Sequence, residues 1–198
     1  MGEMSAQIGN AKNLSQLAIQ NNQFFGKFVP EIGLAPQLVR IEAGNNKFTG
    51  QLPKEIGRLK QLNALYLQEN MLEGSIPHEI GSCKSLTIIN LARNRLDGAI
   101  PETLGSIDVL NSLNVSNNKL SGSIPSSLAG LTLSSIDFSN NQLNRGSFSG
   151  ALFPTRLSAS EAGEAFQETQ GSVLKSPVAM IQLQLARLLL VLRRNPEE

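Results

Sequence analysis

Residues 62–77 read LNALYLQENMLEGSIP, and the rest of the chain is built on this pattern. The same residue types return at the same offsets from Leu38, from Leu86 and from Leu110, so that the unit recurs every 24 residues. A repeat of this length predicts an array in which each copy stacks on the next, because one copy is too small to bury its own apolar side chains.

The copies at the two ends are less regular. The copy that begins at Leu14 has its proline shifted to Pro30, and the copy that begins at Leu133 loses the pattern after Leu143. Residues 1–13 are interpreted as the tail of a truncated earlier repeat. We therefore predict a solenoid over residues 14–145, with six repeats that start at residues 14, 38, 62, 86, 110 and 133.

Each part of the unit has a physical interpretation. Leu65 and Leu67 alternate with Tyr66, which is typical of a short strand with two inward side chains and one outward side chain. Gly74 suits a turn with positive φ, and the Ile76-Pro77 dipeptide favours an extended, polyproline-like return. Stacked copies predict an α/β repeat solenoid with a concave parallel sheet and a polyproline-like or 3-10 convex side.

One asparagine recurs at a fixed offset after each predicted strand. A short amide at this position can bond main-chain groups where the chain leaves the strand, so the asparagines are predicted to form a structural ladder. The ladder consists of Asn22, Asn46, Asn70, Asn94, Asn118 and Asn141.

The consensus L-x-x-L-x-L-x-x-N-x-L followed by G-x-I-P resembles the plant form of the leucine-rich repeat, over roughly residues 4–145. Residues 38–50 and 62–70 are similar to plant receptor-like kinase ectodomains of the HAESA, CLAVATA and CEP-receptor group. The resemblance implies a long extracellular solenoid that binds secreted peptide hormones, a single membrane span and a cytoplasmic Ser/Thr kinase. We expect this chain to be a truncated ectodomain on the extracellular side of the plasma membrane, without the kinase domain.

Composition excludes several other classes of function. The formal net charge is +1, so no overall field favours nucleic acid. A single cysteine excludes an internal disulfide and a thiolate metal site, and no nucleotide-binding loop is present. The one histidine, His78, is predicted to be a surface residue beside Pro77. We expect no cofactor, no metal and no enzymatic activity, and residues 1–4 carry no secretory signal.

The outward strand positions are the surface that folding leaves free to vary. Seven varied, polar side chains there form the candidate site for a secreted peptide or a co-receptor ectodomain, the alternative being that they are ordinary solvated residues. They are Arg40, Glu42, Tyr66, Gln68, Glu69, Asn90 and Arg93.

Two Asn-x-Ser sequons begin at Asn13 and Asn114. They are acceptors for N-linked glycans only if the chain is secreted. A glycan on Asn114 would cover part of the concave face.

The end of the chain departs from the repeat. Residues 146–176 are small and polar, which is typical of a loosely ordered tail or a degenerate cap. Residues 177–195 are predicted to form an apolar helix that starts at Pro177. Its apolar run, 178–192, is 15 residues long, whereas a bilayer span needs about 20. A membrane-span remnant, a cap on the last repeat and a disordered or frame-altered end remain alternatives.

Three hypotheses of function follow. The first is a protein-interaction module of a receptor-like kinase that binds a peptide hormone or a co-receptor in signalling. The second is a secreted defence protein that resembles the polygalacturonase inhibitors, which share this repeat. The third is a truncated receptor fragment without a function of its own.

Overall fold

The computed structural model describes residues 2–144. Twelve short strands and six 3-10 helices alternate along these residues. The strands are β1 (Gln16–Ala18), β2 (Phe25–Lys27), β3 (Arg40–Glu42), β4 (Lys47–Gly50), β5 (Ala64–Tyr66), β6 (Met71–Ser75), β7 (Ile88–Asn90), β8 (Arg95–Asp97), β9 (Ser112–Asn114), β10 (Ser121–Gly122), β11 (Ser135–Asp137) and β12 (Gln142–Leu143). The 3-10 helices are η1 (Ala6–Asn10), η2 (Pro30–Leu34), η3 (Lys54–Arg58), η4 (His78–Ser82), η5 (Glu102–Ser106) and η6 (Ser126–Gly130).

The odd-numbered strands form one parallel sheet in the order β1-β3-β5-β7-β9-β11. Each coil of the chain therefore adds one strand to this sheet and returns along the opposite side through a 3-10 helix. The predicted α/β repeat solenoid with a parallel sheet and a 3-10 convex side is confirmed. Arg40 pairs with Ala64 and Ala64 pairs with Ile88, so residues 24 positions apart lie side by side in columns.

A second set of strands was not predicted. Strands β2, β4, β6 and β8 form a four-stranded sheet, and β10 pairs with β12. These segments follow the asparagine of each coil and end near a glycine with positive φ, such as Gly50 and Gly74. They pair only with the same segment of a neighbouring coil, so each short segment carries little strand signal of its own.

The core consists of the inward side chains of all coils. Ile41, Leu65, Ile89 and Leu113 follow one another along the main sheet, and all are fully buried. Cys83 takes a core position and is also fully buried, and its thiol donates to the carbonyl oxygen of Ile56 at 3.1 Å. Burial raises the pKa of this thiol to about 11.

The asparagine ladder holds adjacent coils together. Asn70 Oδ1 accepts the main-chain N–H of Phe48 at 3.0 Å. Asn70 Nδ2 donates to the carbonyl of Ala43 at 3.0 Å and to that of Leu67 at 3.1 Å. One amide therefore bonds its own coil and the preceding coil. Among residues 2–144, Asn22 donates to carbonyls of its own coil alone, those of Ile19 and Gln20.

Two further devices hold the 3-10 helices of neighbouring coils together. Lys60 Nζ donates to the carbonyl of Gly57 at 2.7 Å and to that of Ser82, one coil further on, at 3.1 Å. Gly57 also permits the close approach, because a β carbon there would lie 2.8 Å from the Cβ of Glu79. The lysine contact was not predicted, since lysine occurs at this offset in only some of the coils.

The segment predicted to be the tail of an earlier repeat forms part of a coil. Helix η1 packs beside η2, and Glu3 makes a parallel bridge to Phe25. The tail predicted at 146–176 and the apolar helix predicted at 177–195 lie outside the described residues. Within residues 2–144, no helix has the length and apolar character that a membrane crossing requires.

The ladder predicts a large difference between two asparagine substitutions. Asn70→Ala leaves the buried N–H of Phe48 without its acceptor, and an unpaired buried donor costs about 1–3 kcal/mol. With the two carbonyl partners also lost, we expect the free energy of unfolding to fall by about 3 kcal/mol, as measured by urea unfolding with circular dichroism. Asn22→Ala, the matched control, should cost less than about 1 kcal/mol. Equal losses would contradict the bridging role of the ladder.

The buried thiol predicts a pH dependence. Because the folded state holds the proton of Cys83 up to a pKa of about 11, its contribution to stability is complete below pH 9 and is lost between pH 9 and 11. Relative to Cys83→Val, which removes the titrating group, wild type should lose about 1 kcal/mol between pH 8 and pH 10. Chemical unfolding at both pH values measures this, and a constant difference between the two proteins would refute it.

Candidate ligand-binding face

The outward side chains of the six-stranded sheet form two columns, which we call the concave face. The first column contains Gln16, Arg40, Ala64, Ile88, Ser112 and Ser135. The second contains Ala18, Glu42, Tyr66, Asn90, Asn114 and Asp137. Neighbouring members of a column are one strand apart, about 4.8 Å.

Three of the candidate residues form one cluster on strands β3 and β5. Arg40 Nε lies 2.5 Å from Glu42 Oε1, and the Arg40 guanidinium lies 5.2 Å from the centroid of the Tyr66 ring. The hydrogen bond to Glu42 raises the pKa of Arg40. Arg40 remains 42% exposed at its side chain, so the cluster is accessible from solvent while its geometry is fixed by two contacts.

Gln68 lies just past strand β5, beside this cluster. Its side chain lies over Gly44 of the preceding coil, where a β carbon would be 2.5 Å from Gln68 Nε2. Gln68 Oε1 is buried and has no hydrogen-bond partner among residues 2–144. A buried acceptor without a donor costs free energy, and a rotation of the Gln68 side chain that exposes this oxygen to a ligand N–H or O–H group would recover that cost.

In the second column, the side chains on β7, β9 and β11 are neutral or acidic and accept hydrogen bonds from their own turns. Asn90, Asn114 and Asp137 each accept, through Oδ1, the main-chain N–H of the residue two positions later, at 3.0–3.2 Å. These bonds fix one side of each side chain against its own turn. Asn90 therefore stands one strand from Tyr66 with its carbonyl oxygen already engaged.

Glu69 and Arg93, like Gln68, do not lie on the strands, contrary to the prediction that placed them among the outward strand positions. Both follow a strand and adopt left-handed backbone conformations, with φ of 57° and 55°. Asparagine, which tolerates this conformation, occupies the other coils at this offset. Arg93 Nη1 lies 3.1 Å from Glu69 Oε1, with the two side chains 68% and 44% exposed. They form a separate ion pair at the rim of the concave face.

The remaining residues singled out in the sequence lie in different places. Asn13 is exposed just before β1, whereas Asn114 is on β9 within the concave face. His78 begins η4 on the convex side, and its Nδ1 lies 3.4 Å from Glu79 Oε2. In the part of the chain that the structure describes, no group of three or more His, Cys, Asp or Glu side chains is arranged to hold a metal ion.

Comparison with known proteins identifies the repeat. The family model described as Leucine Rich Repeat matches residues 61–83, 85–107 and 109–131. No curated protein sequence matches the chain. Among solved structures, the ectodomain of the receptor kinase HAESA from Arabidopsis, in complex with the peptide hormone IDA and the co-receptor SERK1, is 41% identical. The match has a TM-score of 0.71 and covers 72% of this chain and 24% of that chain.

Two further solved structures are also similar to this chain. The ectodomain of GASSHO1/SCHENGEN3 from Arabidopsis thaliana, in complex with CASPARIAN STRIP INTEGRITY FACTOR 2, is 38% identical with a TM-score of 0.71, over 72% of this chain and 17% of that chain. A chain of the BIR3–SERK2 complex from Arabidopsis thaliana is 34% identical with a TM-score of 0.60, over 68% of this chain and 72% of that chain. The chain belongs to the leucine-rich repeat family, in the form carried by plant receptor kinase ectodomains. It spans less than a quarter of the HAESA and GASSHO1 chains.

The rim ion pair generates a stability prediction. A left-handed conformation costs an ordinary residue about 1–2 kcal/mol, whereas an exposed ion pair returns only about 0.2–1 kcal/mol. The double substitution Glu69→Asn, Arg93→Asn should therefore raise the free energy of unfolding by about 1 kcal/mol in urea denaturation. Glu73→Asn, at an exposed strand position without positive φ, is the control and should give no gain. A destabilised double variant would show that the ion pair outweighs the backbone strain.

Proposed function

We propose that this chain is the ligand-binding part of a receptor kinase ectodomain and holds an extended peptide on its concave face. The cluster of Arg40, Glu42 and Tyr66, with the unpaired Gln68 Oε1 beside it, is the observation that carries the proposal. Folding of the solenoid requires only the inward side chains, so it does not account for these outward residues.

The residue types of the cluster suit recognition of a peptide. Tyrosine and arginine, together with tryptophan, are the side chains that are enriched among the residues carrying most of the binding energy of protein interfaces. A peptide carboxylate can compete with Glu42 for the Arg40 guanidinium, and a peptide N–H can donate to Gln68 Oε1 once that side chain turns outward from Gly44. Tyr66 offers an aromatic face to an apolar side chain. The cluster thus provides a charged, a polar and an apolar contact on adjacent coils.

The size of the sheet limits the length of the ligand. Six strands about 4.8 Å apart span roughly 24 Å, which an extended peptide at about 3.4 Å per residue covers with about seven residues. Charged and aromatic contacts lie at the β3–β5 end of this path, so we expect the strongest binding there.

The solved relatives support the two kinds of partner in this proposal. The HAESA structure contains a peptide hormone and a co-receptor, and the GASSHO1 structure contains CASPARIAN STRIP INTEGRITY FACTOR 2. By analogy, we propose a secreted peptide as the ligand, a co-receptor ectodomain as a second partner, and a location on the extracellular side of the plasma membrane. The proposal is one of binding without catalysis, and a phosphotransfer assay on the purified chain tests that part.

Selection from a random dodecapeptide phage library against the purified chain tests the binding site. Enriched peptides, made synthetically, should bind wild type in calorimetry and lose at least tenfold in affinity to Arg40→Ala and to Tyr66→Ala. A tenfold loss corresponds to about 1.4 kcal/mol, which truncation of an anchoring tyrosine or arginine commonly exceeds.

The matched controls lie on the convex side. Arg58→Ala and Glu79→Ala change charge on η3 and η4, away from the concave face, and should leave affinity unchanged. A failure to enrich any peptide, or equal affinity for wild type and both concave-face variants, would overturn the proposal. Circular dichroism of each variant shows whether the fold is retained.

A further inference from the structure

The sequon Asn114-Val115-Ser116 lies on the concave face, and its side chains are locked together. Asn114 Oδ1 accepts the main-chain N–H of Ser116 at 3.0 Å and the Ser116 hydroxyl at 2.8 Å. The partly exposed Asn114 makes no hydrogen bond through Nδ2 to any residue between 2 and 144. N-glycosylation modifies the amide nitrogen, and Asn114 Nδ2 is thus without a hydrogen-bond partner among the described residues.

The neighbouring asparagines differ in this respect. Asn117 Nδ2 donates to the Ser116 hydroxyl at 3.3 Å, and Asn118 Nδ2 donates to the carbonyls of Leu91 and Val115 at 3.0 Å. Modification of Asn118 would break the ladder. A sugar on Asn114 removes no hydrogen bond of the described fold, so the folded solenoid accommodates a glycan there at no cost in internal bonding.

We infer that Asn114 carries an N-linked glycan when the chain passes through the secretory pathway, and that this glycan restricts the ligand to the β1–β5 half of the concave face. The inference rests on the proposed extracellular location and peptide binding. In the transfer step, Asn114 Nδ2 loses one proton and bonds to the anomeric carbon of a lipid-linked oligosaccharide, and the lipid pyrophosphate leaves. The donor enzyme acts on the chain before it folds, so burial of Ser116 in the solenoid is no obstacle.

The position of Asn114 determines what the glycan covers. Asn114 pairs with Asn90 on β7 and with Asp137 on β11, so the first sugar on its amide would lie next to these two residues. Tyr66 lies two strands away, about 9.6 Å along the column. On this inference, the sugars next to the protein remove Asn90 from the candidate ligand surface, and the cluster on β3 and β5 stays accessible.

A second sequon can be created one coil earlier, which provides a matched control variant. Asn90-Leu91-Ala92 becomes a sequon with the single substitution Ala92→Ser, and Ser116, which is 3% exposed at the corresponding offset, shows that the fold accepts serine there. A glycan on Asn90 would stand directly beside Tyr66, because the two residues pair in adjacent strands.

Glycan occupancy is measured on the chain secreted from cultured mammalian cells behind a supplied signal peptide. Glycopeptide mass spectrometry after enzymatic release in heavy-oxygen water should show glycans at both Asn13 and Asn114 in wild type. Ser116→Ala should lose the glycan at Asn114 alone, and Ala92→Ser should add one at Asn90. An unmodified Asn114, whether Asn13 is occupied or not, overturns the inference.

The second readout needs no peptide, so its outcome is separate from that of the binding selection. Hydroxyl-radical footprinting should oxidise Tyr66 equally in glycosylated wild type and in Ser116→Ala, and at least threefold less in Ala92→Ser. Loss of Tyr66 oxidation in wild type relative to Ser116→Ala would show that the Asn114 glycan covers the whole face, and would overturn the restriction to one half.

Discussion

From the second to the sixth coil, one asparagine amide bonds main-chain groups of its own coil and of the preceding coil, and the rest of the solenoid depends on these bonds. Asn70 shows the arrangement, with an acceptor for Phe48 of the preceding coil and donors to carbonyls of both coils. Because one short side chain satisfies several main-chain groups at once, no other residue type replaces it without loss. The ladder sets the spacing of the coils, and that spacing sets the columns of the concave face.

Because the coils are regular, positions at which one coil carries a different type of residue from the others are easy to identify. Arg40, Glu42 and Tyr66 occupy offsets at which other coils carry small or neutral residues, such as Ala18 and Ser112. Glu69 and Arg93 occupy left-handed positions at which the other coils carry asparagine. The other coils stack without these residue types at the same offsets, so stacking does not account for them.

The face is divided into two chemically different halves. Toward β3 and β5 it has charge, an aromatic ring and an unpaired buried acceptor, Gln68 Oε1. Toward β9 and β11 the side chains bond their own turns, and Asn114 belongs to a sequon. Under the proposed function, the ligand contacts therefore concentrate at the β3–β5 end of the face.

The 24-residue repeat by itself determined the fold, the register and the identity of the columns, because a fixed period leaves only one way to stack. It did not indicate the second sheet or the lysine contacts between 3-10 helices. The second sheet and the lysine contacts depend on pairing between coils 22 residues apart, which no local pattern records. The left-handed conformation of Glu69 and Arg93 was indicated by the asparagines at the same offset in the other coils. Only the tertiary structure brought Gln68 over Gly44 and left its oxygen unpaired, since that arrangement requires two coils to be in place.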